Sequence, residues 1–157
     1  MKFKDLFSKW KLSKVSLNFK FAELEFAPNA ADEEAAWEMY VELITRITTQ
    51  NLHDDHGDEL SALGSVYSLF AVTRDILKNH GRDAKAFTKI AIIVLNQIIR
   101  PFTAKWHKHS LDGLLDAQEG KKQFRHDLNT LQTDLREYCG MLAEIAQVEN
   151  LADFIND

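Results

Sequence analysis

Phe124, Leu128, Leu131, Leu135, Tyr138, Leu142 and Ile145 follow one another at spacings of 4-3-4-3-4-3. That interval keeps a single face of an α-helix apolar over three heptads, and a strand, whose side chains alternate with a period of two, cannot use it. A rod with so long an apolar face must be covered. Its own chain is the expected cover, with a second chain as the alternative. The rest of the sequence leaves room for the helices needed, since 157 residues contain only 2 prolines and 6 glycines, the residues that most oppose helix interiors.

Three further long helices are predicted upstream. Asn29 caps the first, with Asp32, Glu33 and Glu34 in its opening turn, where the helix dipole favours acids. Its apolar stripe is Trp37, Tyr40, Val41, Ile44 and Ile47. Asp55 is the expected cap of the second, which buries Leu60, Leu63, Tyr67, Phe70 and Leu77, flanked by Val66 and Ile76, and ends at Gly81. Asp83 is the expected cap of the third, apolar almost all round through residues 89–99, with Pro101 kinking or stopping it. Residues 110–120 break the pattern before the heptad helix, and Leu151, Phe154 and Ile155 suggest a short terminal helix. Ahead of all this, Phe3, Leu6, Phe7 and Trp10 lie among lysines at helical spacing. Val15, Leu17, Phe19 and Phe21 then alternate as in a strand.

The expected fold is therefore all-α: an antiparallel up-down bundle of four long helices over residues 28–157. A short basic amphipathic helix and an extended, possibly β, arm precede it in residues 1–27. Such a chain is long enough to bury a core without disulfides or metals. The lone Cys139 has no partner for an internal bridge, which fits a reducing compartment and predicts a cytoplasmic location. The most apolar run, residues 90–99, is too short and too polar to span a bilayer.

Charge is laid out unevenly. Residues 1–20 hold six lysines against one acid, and residues 21–59 hold eleven acids against Arg46. An acidic stretch behind a basic tip argues against nonspecific DNA binding by the whole chain. The tip itself, through Phe3, Phe7 and Trp10 together with Leu17, Phe19 and Phe21, is a candidate for partner binding. Contact with an anionic membrane is the less favoured use.

Three other places carry chemistry. The acids and histidines of residues 53–59 are plausible divalent-metal ligands, but their spacing fits no calcium loop, and acids ahead of a helix are what capping favours. No metal or cofactor is expected. Arg100, Lys105, Trp106, His107, Lys108 and His109 end the third helix, and Lys121, Lys122, Arg125 and His126 begin the fourth. If these ends adjoin, they form a basic pole able to hold phosphate, a nucleotide or RNA, with Trp106 stacking on a base. Finally, residues 74–80 (RDILKNH) resemble the short arginine–histidine motif of HEPN-type ribonucleases, which are all-helical. The resemblance covers seven residues and implies that Arg74 and His80 act on an RNA backbone.

No serine or cysteine nucleophile constellation and no glycine-rich phosphate loop is visible. The favoured expectation is a non-enzymatic interaction module, an accessory or scaffold subunit with a protein partner or self-association. A ribonuclease using Arg74 and His80, and polyanion binding at the basic pole, are the alternatives.

Overall fold

The computed structural model describes residues 1–12 and 14–154. The chain is all-helical: α1 (Phe3–Lys9), α2 (Phe19–Ala22), α3 (Ala30–Ile44), α4 (Glu59–Tyr67), α5 (Leu69–His80), α6 (Lys85–Val94), α7 (Arg100–Leu111) and α8 (Gln118–Ala146). A π-helical turn, Leu95–Ile99, joins α6 to α7, and a 3₁₀ turn, Leu114–Asp116, precedes α8. All seven heptad positions of α8 are buried, so the chain covers its own apolar rod, chiefly with α3.

Side-chain pairs fix how the helices meet. Glu33 of α3 reaches Gln147 just past α8, while the far end of α3 meets the middle of α8, where Gln132 donates to the Ile47 carbonyl at 2.7 Å. Between α3 and α5, Glu38 pairs with His80 at 2.7 Å, and Arg46 donates to Ser68 Oγ at 2.9 Å. Tyr67 meets His107 edge-on at 5.0 Å, and the Arg100 guanidinium lies over Phe70 at 4.8 Å. Phe102 and Trp106 of α7 both contact the Phe124 ring of α8.

The buried faces of α3 and α4–α5 are rotated from the expected ones. In α3 the core takes Asp32, Ala35, Ala36, Met39, Tyr40 and Leu43, while Trp37 and Val41 stand in solvent. In α4–α5 it takes Ala62, Leu63, Val66, Leu69, Phe70, Thr73 and Ile76, while Leu60 and Tyr67 are exposed. The cause is the same in both. Alanines let neighbouring backbones approach closely, and a pattern read from large side chains alone overlooks them. The caps also differ. Asp58, not Asp55, closes α4 by accepting from Ser61 N at 2.8 Å. Asp83 makes no side-chain cap on α6, whose N-terminal residue before the helix is Ala84. Gly81 ends α5 with ordinary right-handed backbone. It is small because a Cβ there would press on the Leu77 carbonyl and Thr88.

Pro101 does not stop its helix. The missing proline N–H is absorbed by the π turn just before it, where Arg100 N bonds the Leu95 carbonyl five residues back. Taken together, α4 and α5 form a run, Glu59–His80, long and apolar enough by length and composition to cross a bilayer. Its buried residues recur every three or four positions against the core, as in an amphipathic core helix.

The segment expected as a strand is not one. Among the described residues there is no strand, and the sole trace of pairing is an isolated antiparallel bridge between Lys2 and Glu25. Asn18 instead caps the short α2, accepting from Phe21 N at 2.9 Å. Ser16 finds its backbone partners on a side chain: its N–H donates to Gln97 Oε1 at 2.7 Å, and its carbonyl accepts from Gln97 Nε2 at 3.0 Å. Residues 152–154 form only a turn, and Ile155 lies outside the described residues.

Candidate functional site

The residues expected at a basic pole are largely engaged with the fold. Trp106 is 0% exposed. Its indole N–H donates to Asp127 Oδ2 at 3.0 Å, and Lys105 bonds the same oxygen at 2.6 Å. A ring so enclosed offers no face to a base. His109 packs edge-on against it at 5.1 Å. Arg100 donates to Asn96 Oδ1 at 3.1 Å. Arg125 is a clamp: Nε bonds Glu59 at 2.9 Å, and Nη1 donates to the His53 carbonyl at 2.7 Å, with weaker bonds to the His56 carbonyl.

What remains is divided among three clefts. Lys105 and Asp127 border one of about 280 Å³, with Lys14, Pro101, Phe102, Leu131 and Asp134. Lys122, Arg125 and His126 face Asn51, Leu52 and Asp54 across a second of about 400 Å³. Lys121 joins Arg125, Asp54, Gly57 and Glu59 around a third of about 440 Å³. Lys108 is exposed and belongs to none of them. Each cleft carries at least one carboxylate beside its cations, which offsets part of their charge, while Lys122 and Arg125 line both the second and the third, so that Lys121, Lys122, Arg125 and His126 adjoin there.

Arg74 and His80 share α5 but not a face. Six residues at 100° each set them about 120° apart around the axis. Arg74 is exposed, and His80 is held by Glu38 on α3. Within residues 53–59, the His53 and His56 carbonyls and the Glu59 carboxylate accept from Arg125, and Asp58 caps α4. Among the described residues, no three His, Cys, Asp or Glu side chains converge as metal ligands. Cys139 is buried, and that burial pushes its thiol up to about 12, leaving little thiolate near neutrality.

No family model, curated protein or solved structure matches the chain.

The N-terminal candidates separate by burial. Phe3 and Phe7 are core residues. Phe3 packs on Phe21 at 4.7 Å and on Phe26 at 5.6 Å. Trp10 lies on Gly140 of α8, where a Cβ would overlap its ring, and its indole donates to Glu144 at 2.7 Å. Leu17 is half-buried. Phe19 alone stands open, 81% exposed. Four of the six lysines are also engaged: Lys2 and Lys4 with Glu23, Lys9 with Glu144, Lys14 with Asp134.

The surface that sequence reading missed lies between α3 and α5. Val41, Val72 and Ile76 floor a groove of about 330 Å³, with Trp37 as a wall and Glu38, Glu42, Asp75 and Asn79 around it. Trp37 is 48% exposed and stacks on the buried Tyr40 at 5.8 Å. Tyr40 is itself fixed, donating to the Glu149 carbonyl at 3.1 Å and accepting from Leu151 N at 3.0 Å. The available signal was the run of two alanines, Ala35–Ala36, which fill the interface and leave Trp37 outside.

Proposed function

We propose that this chain is a non-enzymatic interaction module, an accessory or scaffold subunit of a cytoplasmic complex, built as an antiparallel up-down bundle of four helical rods. The rods are α3, α4–α5, α6–α7 and α8. The cross-helix pairs support that arrangement. Glu33 and Glu38 of α3 meet the C-terminal ends of α8 and α5, while the residues just past α3 meet the start of α5 and the middle of α8. The Tyr67–His107 and Phe70–Arg100 pairs give the same antiparallel sense for α4–α5 and α7.

One observation carries the functional reading. His80, Lys105, Trp106 and Arg125 are taken up by structural bonds, while large apolar side chains stand in solvent on rigid helices. Leu111 is 88% exposed, with Leu60 and Tyr67 exposed on the neighbouring α4. Apolar surface held on a rigid scaffold is suited to partner contact.

The test is a photocrosslinking amino acid placed at Leu111, Tyr67 or Phe19 in the source cells. A discrete adduct of higher mass, either with another protein or with a second copy, is expected from at least one position. No discrete adduct at any of the three overturns the reading.

A further inference from the structure

We propose that the groove between α3 and α5 is the docking site for a basic amphipathic helix of a partner protein. This rests on the interaction-module reading and names its surface and its ligand. The groove is apolar at its floor, where Val41, Val72 and Ile76 meet, and has room for an apolar anchor from a helix laid along it. Trp37 is pre-positioned by its stack on Tyr40, so little side-chain freedom is lost on binding.

Charge chooses the occupant. Glu38 already faces His80 and Glu42 pairs with Arg46, but Asp75 is exposed and, among the described residues, carries no ion pair or hydrogen bond, and no lysine or arginine lines the groove. A lysine or arginine on the incoming helix would meet Asp75 and lie over the half-exposed Trp37 ring, which attracts cations. An acidic helix would be repelled. The chain's own basic tip is a poor candidate from a second copy, because its apolar face, Phe3, Leu6 and Phe7, is buried in its own core and Lys2, Lys4, Lys9 and Lys14 are paired within their own chain.

The experiment titrates the full-length, ¹⁵N-labelled chain with a synthetic amphipathic Leu/Lys helix, and in parallel with the same helix in Leu/Glu form. Saturable shifts on α3 and α5 with the Leu/Lys helix alone are expected. Asp75→Lys should weaken that binding by at least about tenfold and admit the Leu/Glu helix. Trp37→Ala should weaken it as well. Asp75 is exposed, so the spectrum of Asp75→Lys itself reports an intact fold. No binding, shifts spread over other acidic surfaces, or affinity unchanged in Asp75→Lys each overturn the proposal. A photocrosslink at Leu111, Tyr67 or Phe19 alongside any of those results leaves the module reading standing and removes only this groove.

Discussion

Asp32, 1% exposed near the start of α3, accepts the backbone N–H of Phe87 in the first turn of α6 through Oδ1 at 2.8 Å. Its other oxygen accepts Asn29 N at 2.8 Å and closes the capping box of its own helix. One carboxylate thus caps two helices. This explains why α6 begins without a side-chain cap of its own, and the two helix starts are further tied by Asn29 Nδ2, which donates to the Asp83 main-chain carbonyl at 3.0 Å.

Asp32→Ala removes the α6 cap and the reciprocal half of the α3 capping box, and leaves the buried Phe87 N–H without an acceptor. A lost cap and an unsatisfied buried donor together cost about 2–4 kcal/mol. Asp32→Asn keeps one acceptor oxygen and should lose roughly half as much. Urea unfolding monitored by circular dichroism measures both.

Trp10 and Gly140 form a second coupled pair. Alanine is the better helix former by about 1 kcal/mol. Gly140→Ala should nevertheless destabilise by about 1–3 kcal/mol, because its Cβ overlaps the indole and overpacking outweighs propensity. In a Trp10→Ala background the obstacle is gone, and the same Gly140→Ala change should become neutral or stabilising. A double-mutant cycle reads this reversal of sign directly.

Asp58 should shape the acid limb of stability. Backbone and then side-chain hydrogen bonds from Ser61 hold its carboxyl below the ordinary value of 3.8. A depressed folded pKa means the cap contributes fully above the ordinary aspartate range and is lost as pH falls through the folded value. Asp58→Asn retains a capping acceptor without the titration. It should stay folded at pH 7 and show a shallower loss of stability below about pH 4.

Arg125→Ala should free the loop at residues 51–58. Hydrogen exchange of amides in that loop is expected to accelerate while α8 core amides stay protected. Arg125→Lys should restore little, since an ammonium cannot span Glu59 and two loop carbonyls as the guanidinium fork does.

The heptad of α8 was legible because seven large apolar residues share one period and all of them are buried. Asn29 was legible as a cap because its partner Asp32 follows three residues later. The faces of α3 and α4–α5 were legible only in part: Tyr40, Leu63 and Phe70 are in the core, but Ala35, Ala36 and Ala62 let the helices close on a neighbouring face that also takes Met39, Leu43 and Leu69, and small residues carry little weight in a hydrophobic pattern. The alternation at residues 15–21 misled for a different reason. A strand needs a second strand, and here Gln97, 81 residues away, supplies the hydrogen bonds to Ser16. The pairing within the basic pole was not legible, because sequence proximity of cations says nothing of Asp127 and Glu59, which bind Lys105 and Arg125. The α3–α5 groove depends on which side of Trp37 is buried, a choice made only by packing.

The π turn at Leu95–Ile99 works as a phase adjuster on a single shaft. Buried positions downstream step by four, through Val94, Ile98, Phe102 and Trp106, a stride that would drift steadily around a regular α-helix. The wider turn takes up the drift, so one continuous rod is keyed to α3 at one end and to α4 and α8 at the other. Removing one residue from that turn would shorten the chain by a single link, yet it would turn every later side chain of the rod out of its socket.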